Sequence, residues 1–443
     1  MIYLKKVDPQ IKALIQKEKK RQSETLMMIP SENMVSKAVE EAVGSCLGNK
    51  YAEGYPGKRY YQGQEYIDKI ETLVVERVKK AFKVPYANVQ PLSGSPANLA
   101  VYTALLKPND KIMGLELAHG GHLTHGDKVS VSGQFFKSVS YKLGKDGFLD
   151  YQALEKLVLK EKPKLIIAGI TAYPKILDWK KFSLIAKKVK AYLLADIAHL
   201  AGLVLGGVYP SPVSFVDVIT TTTHKTLRGP RGAIIMVTRK GLKKDPDLDK
   251  KIQKAVFPGL QGGPHINSIA GIGVALKEAE KNSFKKYSKQ IVLNAKALAK
   301  ELKKNGFNLI SGGTDSHLIL IDLSSFKITG NLAAEALEAG GIVLNRNSIP
   351  YDSRPPFYPS GIRLGTPGIT SREMKEPQMK KIALWMKIII EEISEIKKKM
   401  KISFESEKKK ETREKIIKQS KAIKSIIVEV KKLCQKYPIK DFY

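Results

Sequence analysis

The sequence predicts an α/β fold in which a largely parallel sheet is covered by helices on both faces. Short β-rich runs alternate with helical runs through the first two thirds of the chain, the pattern of successive strand–helix crossovers. The strand candidates are nearly continuous apolar runs, as buried parallel strands must be. Hydrophobic residues make up 43% of 443, with 34 glycines and 22 prolines, enough for a sizeable core and frequent turns. In such sheets, functional groups collect on loops at the carboxyl ends of the strands.

In chain order, residues 9–29 read as an amphipathic helix, followed by the loop Pro30-Ser31-Glu32-Asn33. Asn49 to Tyr61 is too rich in tyrosine, glycine and proline for regular structure and reads as a shaped loop. A helical pattern returns from Ile67 to Phe82. Strands are then expected at Ala87–Pro91, Lys111–Leu115, Lys164–Ile170, Tyr192–Ala195, Val216–Thr220 and Ala233–Val237. Helices are expected at Asn98–Leu106, Tyr151–Lys160 and Lys180–Val189. After the glycine-rich Phe257–Pro264, a single long helix is expected from about Gly271 to Lys304. A second, smaller α/β region follows, with strands Leu318–Leu323 and Ile342–Leu344 and helices Leu332–Ala339 and Glu373–Ile393. Lys397 to Lys415 is charged and poor in apolar residues, and reads as a solvated helix or mobile linker. Ile416, Ile423, Ile427, Val430 and Cys434 recur at helical spacing, so a last helix packs back on the domain. The expected division is an N-terminal arm 1–25, a large domain 26–280 and a smaller C-terminal domain 281–443.

Two cysteines, Cys46 and Cys434, make neither a disulfide framework nor a metal cluster, which suits a reducing compartment. The first 22 residues lack the apolar run of a secretory signal, and Ile382–Ile390 is interrupted by Lys387. A soluble, cytoplasmic chain is expected. The formal net charge is +33. Its lysines are dispersed and not interleaved with aromatics, which argues against dedicated nucleic-acid binding.

Five segments carry candidate chemistry. Thr220 to Gly232 places Lys225 beside His224 and a run of hydroxyls, just past a strand. A lysine desolvated there has the lowered pKa that a Schiff-base nucleophile needs; a strand end with a basic turn is the alternative. Leu92-Ser93-Gly94-Ser95 opens a helix, where backbone N–H groups suit a phosphate or are simply capped by Ser93 or Ser95. Asp196 ends an apolar strand, with His199 three residues on. A buried aspartate there needs a cationic partner such as a protonated ring nitrogen, or serves as a cap or salt bridge. Leu117 to His125 holds three of the seven histidines. Its Gly120-Gly121 pair suits a stacking imidazole better than a metal site. Arg363 lies between small residues, as a carboxylate clamp or a surface ion pair would.

A phosphate cradle, a stacking imidazole, an acid for a ring nitrogen, a Schiff-base lysine and a carboxylate clamp are the parts of a pyridoxal-phosphate enzyme acting on an amino acid. From Glu24 to Trp385 the chain closely resembles the serine hydroxymethyltransferases. The segments that carry the resemblance are Asn49–Tyr61, Leu117–His125, Asp196–His199, Thr220–Gly232, Val256–Pro264 and Gly361–Gly365, the threonine run before His224-Lys225 above all. The resemblance implies the fold-type-I architecture and a homodimer with shared active sites. It also implies interconversion of L-serine plus tetrahydrofolate with glycine plus 5,10-methylenetetrahydrofolate.

By the same resemblance, Lys225 carries pyridoxal 5'-phosphate as an aldimine, Asp196 pairs with the ring nitrogen and His122 stacks on the ring. Ser93, Gly94, Ser95 and His224 hold the phosphate, together with Tyr51 and Gly263 contributed across the dimer. Thr171 and His199 lie by the ring hydroxyl. Ser31 and Arg363 hold the substrate carboxylate, with Tyr61 and Arg231 completing the pocket. Glu53, also from across the dimer, handles the proton at the serine hydroxyl or the folate. Folate contacts fall on Glu53, Leu117, Gly121, Leu123 and Asn347. Pro355 stands where many relatives carry a small hydroxyl residue. Two alternatives differ in class. A folate-independent threonine aldolase would share Lys225, Asp196 and Arg363 but not the histidine segment or Asn49–Tyr61. An RNA-binding protein would use the basic surface.

Overall fold

The computed structural model describes residues 2–439. The chain divides into two compact units, residues 35–292 and residues 1–34 together with 293–443.

The first unit is built on seven strands: β1 (Tyr86–Asn88), β2 (Lys111–Leu115), β3 (Lys137–Tyr141), β4 (Leu165–Gly169), β5 (Tyr192–Asp196), β6 (Val218–Thr222) and β7 (Ala233–Val237). Across the sheet their order is β1-β7-β6-β5-β4-β2-β3. β7 runs antiparallel to both its neighbours, and all other neighbouring pairs are parallel. Leu165, Ile167 and Leu194 pack into one core with helix Gly94–Leu105 and helix Leu248–Lys254. Ile166, Ala168, Leu193 and Ala195, which alternate to the other face, are fully buried as well. Both faces are therefore covered, as a parallel sheet requires.

β3 was not evident in the sequence. Its Lys-Ser-Val-Ser-Tyr run is polar because it is an edge strand with only Tyr141 buried. The single helix expected at 271–304 is two helices, Ile266–Ala279 and Asn282–Lys304. The first buries Gly271 and Gly273 closely against Pro230, Val43 and Val74.

The second unit holds a four-stranded antiparallel sheet in the order Asn308–Leu309, Leu318–Asp322, Gly361–Gly365, Asn345–Asn347. Helices Gly330–Ala339 and Glu376–Lys399 contribute Leu332, Leu337, Met386 and Ile389 to its core. The N-terminal segment belongs here rather than standing as a separate arm. The expected helix 9–29 ends at Glu24, because Leu26–Met27 forms a parallel strand against Ile342–Val343 and sinks Leu26 and Met28 into this core.

The charged stretch 397–415 is helical and not a mobile linker, and it is not wholly solvated either. Helix Glu376–Lys399 runs on into it, and helices Phe404–Glu407 and Lys410–Gln419 follow. Glu407 is fully buried; it accepts from the Thr329 amide and hydroxyl (2.7 Å each) and pairs with Lys397. Arg413 pairs with Glu335 and donates to the carbonyls of Glu407 and Lys408. Buried charge demands such partners, and composition alone does not reveal them. The last helix, Lys421–Lys436, packs through Ile423, Val430 and Cys434 as its spacing predicts.

Arg372 fastens both chain ends of this unit. It is 1% exposed and donates five hydrogen bonds of 2.7–3.1 Å to the carbonyls of Gln22, Ser23, Thr25, Cys434 and Tyr437, where two helices end. Arg372→Met would leave those carbonyls without donors. Urea denaturation should show a loss of about 3 kcal/mol or more; a loss under about 1 kcal/mol would mean that water replaces the guanidinium.

Candidate active site

β2, β4, β5 and β6 all end at the carboxyl edge of the parallel sheet, where Asp196 closes β5 and the loops that follow carry His122, Thr171, His199, and His224 with Lys225. At their centre is Asp196, the last residue of β5 and 8% exposed. One carboxylate oxygen accepts from the Ala198 amide at 3.0 Å. The other accepts from Asn98 Nδ2 at 2.9 Å and lies 3.0 Å from His125 Nε2. Burial alone would raise its pKa. The hydrogen bond and charge of His125, with the Asn98 amide and the charge of His122, hold it instead well below the usual carboxylate range. Asp196 is thus an ionised carboxylate in a low-dielectric setting.

Asn98 is itself fixed from Thr220, whose hydroxyl donates to Asn98 Oδ1 at 2.6 Å, and it reaches Thr124 Oγ1 at 2.9 Å. Thr124 in turn holds His122 Nδ1 at 2.8 Å. Asn98, Thr124, His125 and Thr220 were not singled out from the sequence as site residues. The available signal was a polar side chain inside otherwise buried elements: Asn98 is 1% exposed in an apolar helix. The histidines divide their work. His119, kept neutral by burial, accepts from the Leu143 amide and is structural. The Gly120-Gly121 turn is held by Thr171, which donates to Gly121 O at 2.5 Å.

Ser93 begins helix Gly94–Leu105 without placing its side chain on the helix's open amides. Those N–H groups remain directed outward, which favours an anion. A Cβ on Gly94 would lie 2.7 Å from Thr222 Cγ2, so the turn approaches β6 more closely than any larger residue permits. His224 lies 3.3 Å from Arg231, and its buried Nδ1 has no hydrogen-bond partner among the described residues. Burial, with Lys225 and Arg231 nearby, pushes its pKa down to about 3. A buried imidazole nitrogen, an uncapped helix start and adjacent cations fit a phosphate ester. Lys225 itself is half-buried in a loop closed by Thr223, whose hydroxyl donates to Pro230 O at 2.6 Å, and by Thr226, which donates to His199 O at 2.9 Å.

A second group gathers on the loop 49–61. Tyr51 donates to Glu53 at 3.1 Å, stands edge-on to Tyr61 at 5.0 Å and lies against Gly263. Glu53, Tyr60 and residues 257–262 line an open cleft of about 560 Å³. The loop is shaped by Arg59, whose side chain is 3% exposed and binds Asp68 at 2.9 Å and Glu71 at 2.6 Å and donates to Ala52 O and Gly54 O. Tyr51, Tyr60 and Tyr61 nevertheless remain exposed. Leu117 and Leu123 are partly exposed as well, at 39% and 43%.

Ser31, Asn347 and Arg363 belong to the other unit. Arg363 lies on the central strand Gly361–Gly365 with Nε donating to Asn345 at 3.1 Å, and burial lowers it to about 10, still cationic at neutral pH. The chain before Ser31 runs along the same strand, with Gly365 N donating to Met28 O and Pro30 against Gly365. Asn347 pairs with Gly361.

The fold is that of the fold-type-I pyridoxal-phosphate-dependent transferases. A family model described as serine hydroxymethyltransferase matches residues 4–386. The serine hydroxymethyltransferase of Desulfotalea psychrophila is 58% identical over 379 residues, 86% of this chain and 88% of that protein. The one from Acidothermus cellulolyticus is 55% identical over 380 residues, 86% of this chain and 87% of that protein. That of Endomicrobium trichonymphae is 50% identical over 437 residues, 98% of each, so that match runs on through the C-terminal helices. The chain belongs to the serine hydroxymethyltransferase family. Among the described residues, no helix is long and apolar enough to cross a membrane.

The depressed pKa of His224 has a thermodynamic consequence in the cofactor-free protein. Unfolded, this histidine takes up a proton near its ordinary 6.5; folded, it resists down to about 3. Stability is therefore lost as pH falls from 6.5 towards 3. His224→Asn removes that loss, so the difference in Tm between wild type and variant should shift in the variant's favour between pH 7 and pH 4. A difference that stays constant with pH would contradict the burial of a neutral imidazole.

Proposed function

We propose that this chain interconverts L-serine plus tetrahydrofolate with glycine plus 5,10-methylenetetrahydrofolate, as a cytoplasmic homodimer whose active sites are shared between subunits. The observation that carries the reading is the convergence, at the carboxyl edge of one sheet, of Lys225, the ionised Asp196 and an uncapped helix start, in a chain of this family. Pyridoxal 5'-phosphate, when bound, supplies an electron sink for charge developing at the substrate Cα.

Lys225 is the residue that would hold it covalently, and Asp196 would keep a proton on its ring nitrogen. The network behind Asp196 sustains this role, since a carboxylate so strongly held in its ionised form favours a cation at its open edge. His122 provides the stacking face, while Thr171 and His199 border the ring hydroxyl. Ser93, Gly94, Ser95 and His224 take the phosphate, with the partner subunit's Tyr51 and Gly263. Arg363 and Ser31 grip the substrate carboxylate, and Tyr61 and Arg231 close the pocket. That grip would fix the orientation of the substrate Cα and so favour one of its bonds for reaction. The partner subunit's Glu53 moves the proton at the serine hydroxyl or the folate. Leu117, Gly121, Leu123 and Asn347 receive the folate. The exposed tyrosines support the shared-site reading, because amphipathic aromatic side chains are typical of buried protein interfaces.

Lys225→Gln should abolish turnover while the protein still folds and retains cofactor, read by circular dichroism and visible absorption. Near-normal multiple turnover would remove Lys225 from its role.

Mixing Glu53→Gln chains with Lys225→Gln chains tests the sharing. If Glu53 and Lys225 of one site come from different chains, each heterodimer has one site with both lesions and one with neither. Two separately inactive proteins then regain up to roughly half of wild-type activity. Chain exchange is verified by differential tags. Exchanged heterodimers that stay inactive would place Glu53 in its own chain's site.

A further inference from the structure

The hairpin that carries Asn347 and Arg363 has a long connection, residues 348–360, between its two strands. Asp352 organises it internally, accepting from the amides of Arg354 and Ser360 and from the Ser360 hydroxyl at 2.6 Å. It is also held from outside the hairpin. The Phe404 ring lies 5.4 Å from the Arg354 guanidinium and 4.7 Å from the Lys408 ammonium, and Lys408 also stands over Tyr358 at 5.8 Å. Arg354 donates to Ile328 O at 2.6 Å. Phe404 and Lys408 are in turn fixed by Glu407 between them. Its buried carboxylate grips Thr329, the cap of helix Gly330–Ala339, and Arg413 seizes the carbonyls of Glu407 and Lys408. Gly330 donates to Pro359 O at 2.7 Å, and a Cβ there would lie 2.2 Å from Gly361 O, so this helix start abuts the end of the same connection. Meanwhile Phe357, at the tip, is 76% exposed.

We propose that segment 403–413 is a clamp that positions the 348–360 connection, and that Phe404 is its positioning residue, setting the affinity for the folate co-substrate. This rests on the reading of Asn347 as a folate contact and Arg363 as the carboxylate grip. Phe404 and Lys408 meet the connection through Arg354 and Tyr358, whereas Arg363 is held by strand pairing on both sides of Gly361–Gly365. Loosening the clamp therefore lets the connection and its exposed Phe357 wander while Arg363 stays seated in the sheet. Co-substrate binding then suffers and the chemistry on bound substrate does not.

The test uses full-length holoenzyme bearing Phe404→Ala and, as the conservative control, Phe404→Tyr, which keeps an aromatic face. Phe404→Ala should raise the KM for tetrahydrofolate about three- to tenfold, the loss expected from removing ring–cation contacts. Its kcat and its KM for serine should change less than about twofold, and Phe404→Tyr should restore the wild-type KM. Unchanged KM for tetrahydrofolate in Phe404→Ala overturns the proposal. So does equal impairment of both variants, or a fall in kcat with KM unaltered. Failure of the functional reading looks different: wild-type protein would show no tetrahydrofolate-dependent turnover. Hydrogen exchange then decides the clamp alone. Faster exchange of amides 349–360 in Phe404→Ala supports it, and unchanged exchange rejects it.

Discussion

The structure depends on one carboxylate that is buried and yet charged. Asp196 ends the central strand β5 in a position where ionisation is costly, and its partners set the surrounding architecture. Asn98 brings helix Gly94–Leu105 to it, His125 brings the segment after β2, and Thr220, through Asn98, ties in β6. These are the elements that also carry the helix start at Gly94, the His122 ring and the loop of Lys225. The group that gives the site its electrostatic character also registers the elements that form it. Because each partner is buried and already hydrogen-bonded, little reorganisation is left for the reaction itself.

Much of this was legible in the sequence where a local rule governed the outcome. β2 and β7 fall at the residues expected, and helix Tyr151–Glu161 differs by one, since apolar runs and caps such as Asp150 determine them locally. Lys225, Asp196 and the helix start at Gly94 were singled out because each lies at or just past a recognisable strand, whereas His122 was chosen within its histidine segment by resemblance. Elsewhere the determinants are distant in sequence. β3 is polar because it is an edge, and Leu26–Met27 leaves its helix to pair with residues more than 300 positions away. Residues 397–415 looked solvated because burial of Glu407 and Arg413 depends on Thr329 and Glu335, which no window of sequence contains. His125 was hidden in a similar way: beside His122 it looked like one more member of a cluster, and only the approach of β5 gives it a task.

The two units place different demands on their residues. At the sheet edge, the candidate site presents backbone amides and a carboxylate already fixed by folding. In the smaller unit, Arg363 sits on a well-supported central strand, whereas the connection before it is supported by side chains from the chain's last quarter. A substitution remote from the hairpin in sequence therefore acts on it directly.

The Arg59 staple has a bearing on assembly. By binding two acids and two carbonyls it gives the tyrosine-bearing loop its shape within a single chain. Ordering such a loop on contact would subtract from the free energy of association. Here that entropy has already been lost during folding, so in the proposed dimer the partner would meet a rigid surface and more of the contact energy would appear as affinity. In the proposed dimer, weakening Arg59 would be felt chiefly as subunits that part more readily on dilution, long before either of them unfolds.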